Sequence, residues 1–128
     1  MRLPLRSLAV MFAMIPLAAQ AADPEKGREI FEQCAFCHDP LPDAPVAAPD
    51  LKGVFGRPAG SAPGYEYSDA MAAKGREGLV WTEDNLHAFV RDPKGFVPGT
   101  VMPFKGVRRK SMRDDLFAYL RTLSAAGK

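Results

Sequence analysis

The sequence predicts an all-α domain, with helices separated by turn-rich loops. Two observations carry this. β-Branched residues are scarce: beyond residue 21 the chain holds seven Val, one Ile and three Thr, against ten Pro and all eleven Gly. That composition suits turns and short helices better than a sheet. In addition, Gly27-Ile30-Phe31-Cys34, Leu86-Phe89-Val90 and Leu116-Tyr119-Leu120-Leu123 each repeat at helical spacing and mark one buried face.

Met1 to Ala21 reads as a cleavable signal peptide. Arg2 and Arg6 make a positive start, Leu8 to Ala18 is apolar, and Ala19-Gln20-Ala21 is a small-x-small cleavage site. The apolar run falls short of the ~20 residues of an easy bilayer crossing; an uncleaved anchor is the lesser alternative. Residues 22–128 then form a single domain. Arg2 and Arg6 leave with the leader, so the 17 basic residues fall to 15 against 15 acidic ones. A formally neutral chain has no excess of positive charge to meet phosphates, which argues against nucleic-acid binding.

The first helix starts at Asp23, an N-cap, with Pro24 at the first helical position and Glu25 at the positive end. Gly27 costs ~1 kcal/mol against Ala inside a helix; it is either tolerated or allows another backbone to come close. The helix carries Cys34-Ala35-Phe36-Cys37-His38, the spacing of a c-type haem attachment site. One helical turn presents both thiols to two vinyl groups, and the next residue offers an imidazole as proximal iron ligand. A zinc site would draw on more Cys or His, and only His87 remains. A thioredoxin-like site would sit in a βαβ setting, which the chain does not suggest. With both cysteines on haem, no disulfide is expected. The haem would also give so small a chain a large apolar body to pack on.

Asp39 to Asp50, with Pro40, Pro42, Pro45 and Pro49, is a loop. A ligating imidazole usually gives its other N–H to an oxygen; the Pro49 carbonyl is the candidate, other acceptors in the loop remaining open. Leu51 to Gly64 reads as turns, since its glycines fit no phosphate-loop fingerprint. Arg57 there is either a haem-propionate partner, with a fork suited to carboxylates, or a solvated arginine. Tyr67 and Trp81 either cover haem and donate to a propionate or are plain core aromatics. Ser68 to Lys74 is a short helix, and Ala72 to Leu79 an exposed connection.

Thr82 caps the next helix, with Glu83 and Asp84 in its first turn, and Pro93 ends it. His87 is a second haem ligand or, the preferred reading, a partly exposed helix histidine. Val97-Pro98-Gly99-Thr100-Val101-Met102-Pro103 follows: Pro98-Gly99 suits a tight turn with positive φ at glycine, and Pro103 biases Met102 to extended backbone. A methionine pinned on such a loop is poor core filler and is assigned as the second axial ligand, a thioether that raises the potential. Met71 and Met112 are the weaker candidates. The last helix starts near Ser111, with Asp114 as a capping-box variant.

The chain from Pro24 to Leu123 resembles class I cytochrome c of the mitochondrial and purple-bacterial electron-carrier type. The resemblance rests on Gly27 and Phe31, Cys34-Ala35-Phe36-Cys37-His38, Ala48-Pro49-Asp50-Leu51, Gly56-Arg57, Pro63-Gly64-Tyr65-Glu66-Tyr67-Ser68, Trp81, Pro93-Lys94, Pro98-Gly99-Thr100-Val101-Met102 and Asp115-Leu116-Phe117-Ala118-Tyr119-Leu120. It implies a small cytochrome c fold wrapped around one haem c held by Cys34 and Cys37, iron between His38 and Met102, and Pro49 orienting His38. It also implies that Arg57, Tyr67, Trp81 and Thr100 form the propionate environment, and that Gly27, Phe31, Leu116 and Tyr119 form a terminal helix crossing. The chain departs from the family at Phe89, where mitochondrial proteins have a tyrosine bonded to the methionine sulfur. Met71 stands about where an asparagine is common, and the chain between Tyr67 and Trp81 is longer. Val101 replaces a common lysine, leaving Lys94, Lys105, Arg108, Arg109 and Lys110 as docking candidates.

A soluble periplasmic one-electron carrier of bacterial type is therefore expected, a monomer and not an enzyme. Its expected partners are quinol–cytochrome c reductase, a terminal oxidase, or another reductase or dehydrogenase. A small peroxidase-like enzyme or a gas-binding haem module is the alternative, and either needs an open iron position.

Overall fold

The computed structural model describes residues 20–39 and 45–125. Within them five helices follow in order: α1 (Pro24–His38), α2 (Asp69–Arg76), α3 (Glu83–Arg91), α4 (Pro93–Phe96) and α5 (Lys110–Ala125). The leader read over residues 1–21 lies, apart from residues 20 and 21, outside the described residues, as do residues 40–44 of the proline-rich loop. Among the described residues no helix is long and apolar enough to cross a membrane.

The first four helices begin where a side chain takes an orphan backbone N–H. Asp23 accepts from Glu25 and Lys26 at 3.0 and 3.4 Å. Ser68 accepts from Met71 and Thr82 from Asn85, each at 3.2 Å. Asp92 accepts from Gly95, with Pro93 in the first turn of α4. The start of α5 differs from the expectation. Ser111 lies inside the helix, which begins at Lys110, and Asp114 holds the Lys110 ammonium at 2.9 Å instead of completing a box.

α1 and α5 cross at Gly27. A Cβ placed there would lie 2.6 Å from the Asp115 carbonyl carbon and 2.9 Å from Tyr119 Cβ, so the glycine is a close-approach site. Asp115 also accepts the Asp23 N–H at 2.7 Å, and the Phe31 and Tyr119 rings meet at 5.2 Å. This crossing fixes the helix that carries both cysteines.

Two further stretches differ from the sequence reading. Residues 72–76 complete α2 and are mostly half-buried, rather than forming an exposed connection. Gly75 explains it: a Cβ there would lie 3.1 Å from the Ala59 carbonyl carbon, so α2 packs onto the 51–64 loop. That loop is not only turns. Pro58 pairs antiparallel with Val80, and Gly56 N→Trp81 O, Trp81 N→Arg57 O and Ala59 N→Leu79 O bonds of 2.8, 2.9 and 2.8 Å extend the pairing. It sets Trp81 beside Arg57.

Candidate haem site

Phe31, Leu86, Phe89, Trp81, Met71, Leu116 and Phe117 are buried. They surround a cavity of about 410 Å³, far beyond the water-sized voids of ordinary packing. Cys34, Cys37 and His38 enter it from the last turns of α1. His38 Nδ1 lies 2.7 Å from the Pro49 carbonyl oxygen. A carbonyl only accepts, so Nδ1 carries the proton and Nε2 keeps a lone pair. Burial lowers the His38 pKa and keeps the ring neutral, the ligating form; the Pro49 carbonyl works the other way. Burial, and then Cys37, push the Cys34 thiol up to about 11, so an uncharged sulfur suits this wall.

Arg57 lines the same cavity. Its Nη1 donates to the Asp50 carbonyl at 2.9 Å, while its Nε is buried with no protein partner. A buried guanidinium N–H with nothing to bond is costly and points to an acceptor the protein does not supply. The Tyr67 hydroxyl accepts the Ala62 N–H at 3.1 Å, which leaves its own proton to donate. Trp81 packs on Phe89 with ring centroids 5.0 Å apart.

The Val97 to Thr100 segment makes a turn, closed by Thr100 N→Val97 O at 3.0 Å, with Gly99 at φ 89°. That is the type II arrangement, Pro98 first and glycine second. Thr100 Oγ1 then accepts the Met102 N–H at 3.3 Å, and Met102 projects from non-helical backbone into the cavity lining. All the candidate site residues thus gather around one cavity: Cys34, Cys37 and His38 from α1, and Pro49, Arg57, Tyr67, Trp81, Thr100 and Met102 from the loops. His87 and Met112 do not line it; Met71 does. Two thiols, a neutral imidazole with one open nitrogen, a thioether, apolar walls and an unpartnered guanidinium N–H together fit a haem with anionic propionates.

The cytochrome c family model matches residues 24–124. The chain belongs to the cytochrome c family. This cytochrome c is 39% identical to cytochrome c2 of Blastochloris viridis, over 92% of this chain and 95% of that protein. It is 43% identical to cytochrome c2 of Rhodomicrobium vannielii, over 82% of each chain. Cytochrome cH from Methylobacterium extorquens superposes with a TM-score of 0.68 at 39% identity, covering 79% of this chain and 99% of that one. The fold is thus that of the class I cytochromes c, and the cofactor is one haem c, covalently bound through Cys34 and Cys37.

Two features of this cytochrome c escaped the sequence reading. Phe117 is fully buried, although it falls one residue off the expected stripe of α5, because the cavity and α3 claim that flank of the helix. Arg113, only 6% exposed, lies three residues before Leu116. Its helical position on the apolar side was a readable signal. Phe89 lines the cavity as expected and has no group to donate to a sulfur.

Proposed function

We propose that this cytochrome c is a one-electron carrier whose iron sits between His38 and Met102. When bound, the haem supplies an iron that passes between ferric and ferrous states with no bond made to a substrate. The chain's own residues hold, orient and shield. The Pro49 carbonyl fixes the His38 tautomer at 2.7 Å and leaves Nε2 to ligate. The Met102 thioether raises the potential and leaves no coordination position open. Arg57 Nε and the Tyr67 hydroxyl proton serve the propionates, with Trp81 covering them and Thr100 completing the environment.

One observation carries this reading. Among the described residues lining the cavity there is no Asp, Glu or Lys, and no histidine besides His38. A small peroxidase-like enzyme most often draws on a histidine beside the iron as general base; the titratable side chains in this lining are instead His38, with its Nδ1 on the Pro49 carbonyl, Cys34 and Cys37, Arg57 and the hydroxyls of Tyr65 and Tyr67. The presence of Met102 in the lining argues in the same direction against a gas-binding module. The test is ligand access. Carbon monoxide on the ferrous protein and cyanide on the ferric protein should bind far more slowly than at an open haem. Binding at open-haem rates would overturn the carrier reading.

The domain is taken as residues 22–128, released after a 1–21 leader into a bacterial periplasm and acting as a monomer. Quinol–cytochrome c reductase, a terminal oxidase, or another reductase or dehydrogenase are the partner classes proposed. Phe36 and Val101 line the cavity and are 87% and 67% exposed, an apolar contact area at its mouth. Lys94, Lys105, Arg108 and Arg109 are exposed, whereas Lys110 is engaged by Asp114. Exposed charges of this kind steer association in a salt-dependent way. Neutralising Arg108, Arg109 and Lys110 together should slow reduction by a physiological partner at low salt, the difference fading at high salt. Equal rates at low salt would refute the docking assignment.

A further inference from the structure

The polar cluster between α3 and α5 has no part in the reading above. Arg113 is 6% exposed, and its Nη1 donates to the carbonyls of Val107 and Arg108 at 2.8 and 2.7 Å. Its Nε donates to His87 Nδ1 at 3.1 Å. The His87 side chain is 16% exposed; its Nε2 faces Asp114 at 3.4 Å and Glu83 at 3.9 Å, and its ring lies 4.5 Å from that of Phe117. For Nδ1 to accept, the ring must be neutral with its proton on Nε2, the nitrogen that faces Asp114.

What Arg113 holds is the end of the loop that begins at Met102. Val107 donates its N–H to the Val90 carbonyl at 2.8 Å, and its own carbonyl goes to Arg113. A Cβ on Gly106 would lie 2.7 Å from the Arg91 carbonyl carbon, so this segment is pressed against α3. The loop therefore has one anchor at the Val97–Thr100 turn and a second at residues 106–108.

We propose that His87 is a positioning residue for Met102: neutral, it keeps Arg113 on the carbonyls that anchor the Met102 loop, and protonation loosens that anchor and weakens the hold of Met102 on the iron. This rests on Met102 being the second ligand, as proposed above.

Protonation puts an N–H on Nδ1, so two donors and two positive charges face each other. The groups facing the ring are Arg113, Lys110 and Asp114 from α5 and Glu83 from α3. The two carboxylates would favour the imidazolium, but Asp114 is shared with Lys110 and Glu83 with Arg121. Burial is the largest influence and lowers the His87 pKa below its ordinary 6.5. The sign follows. The unfolded chain takes up the proton first, so the stabilisation is whole above pH 6.5 and is lost as pH falls through the lowered folded value. The chain has 2 histidines; with His38 on the iron, His87 is the imidazole left to titrate there.

The experiment follows the methionine–iron charge-transfer band and the reduction potential of the holoprotein from about pH 8 to about pH 5, through the imidazole range. In the unmodified protein the band should fade reversibly, and the potential drop, with a one-proton midpoint below that of a free imidazole. His87→Gln, which keeps an acceptor for Arg113 but takes no proton, should be flat across this range. His87→Leu, with no acceptor, should show the weakened band at every pH. A His87→Gln profile that follows the unmodified one overturns the proposal, and the titration then belongs to another group. Persistence of the band in Met102→Ala would overturn the ligand reading itself, a result distinct from an unaltered His87→Gln profile.

Discussion

Met102→Ala is expected to abolish the methionine–iron charge-transfer band and to lower the reduction potential by a sizeable part of the roughly 0.8 V over which axial ligands tune haem. A methyl group cannot donate to iron, and the neighbours Val101 and Pro103 offer no donor in its place. The loop itself should survive. Its turn is closed by backbone, Thr100 N to Val97 O, and the Thr100 hydroxyl accepts a main-chain N–H that alanine keeps. Trimming a methionine costs about 2 kcal/mol at a partly buried site, which a domain of this size tolerates. Near-infrared spectra and voltammetry check the result. Met71 is the other methionine in the cavity lining, buried in α2 with its N–H on Ser68. If Met71→Leu removes the band and Met102→Ala keeps it, the sulfur ligand is Met71 and the assignment fails. Phe89 sharpens the expectation: without a hydroxyl it gives the sulfur no hydrogen bond, so nothing at position 89 adds to the hold on Met102 by its loop and its packing against the core.

The second large effect is on stability. Gly27→Ala should destabilise the protein by roughly 2 kcal/mol, in spite of alanine's better helix propensity. Two terms compete. In an exposed helix the exchange would gain ~1 kcal/mol. At Gly27 the new methyl would fall inside contact distance of the Asp115 carbonyl and 2.9 Å from Tyr119 Cβ, both on a helix that cannot yield locally. Overpacking of this kind costs about 1–3 kcal/mol and occasionally more, and here it outweighs the propensity. At ~4–8 °C per kcal/mol for a domain near this size, the thermal midpoint should fall by about 10 °C. Spreading α1 from α5 would also shift the helix that bears Cys34, Cys37 and His38, so haem attachment during maturation should become less efficient. An unchanged or raised midpoint would show that the crossing relaxes without cost.

The chemistry of the site was legible because it is written in short segments. Cys34 to His38 is one helical turn, and Val97 to Pro103 encodes its own turn through Pro98 and Gly99. Caps at Asp23 and Thr82 act within three residues, so backbone stereochemistry alone makes them readable. The resemblance to the class I cytochromes added Thr100, which no local pattern would single out.

What tertiary structure decided lies in contacts between distant residues. The pairing of 56–59 with 79–81 places Arg57 next to Trp81, and no local pattern in either segment announces it. The length of α2 depends on Gly75 meeting Ala59, and the burial of Phe117 on what stands beside α5. Arg113 and His87 are the clearest case. The place of Arg113 on the apolar side of α5 was readable, but its partner was not: the 3.1 Å bond to His87 exists because the fold brings α3 against α5. By itself the sequence determined the cofactor, its attachment and the helices that carry it. Which charges were buried, and which loops were held fast, depended on a core that closes around a cavity.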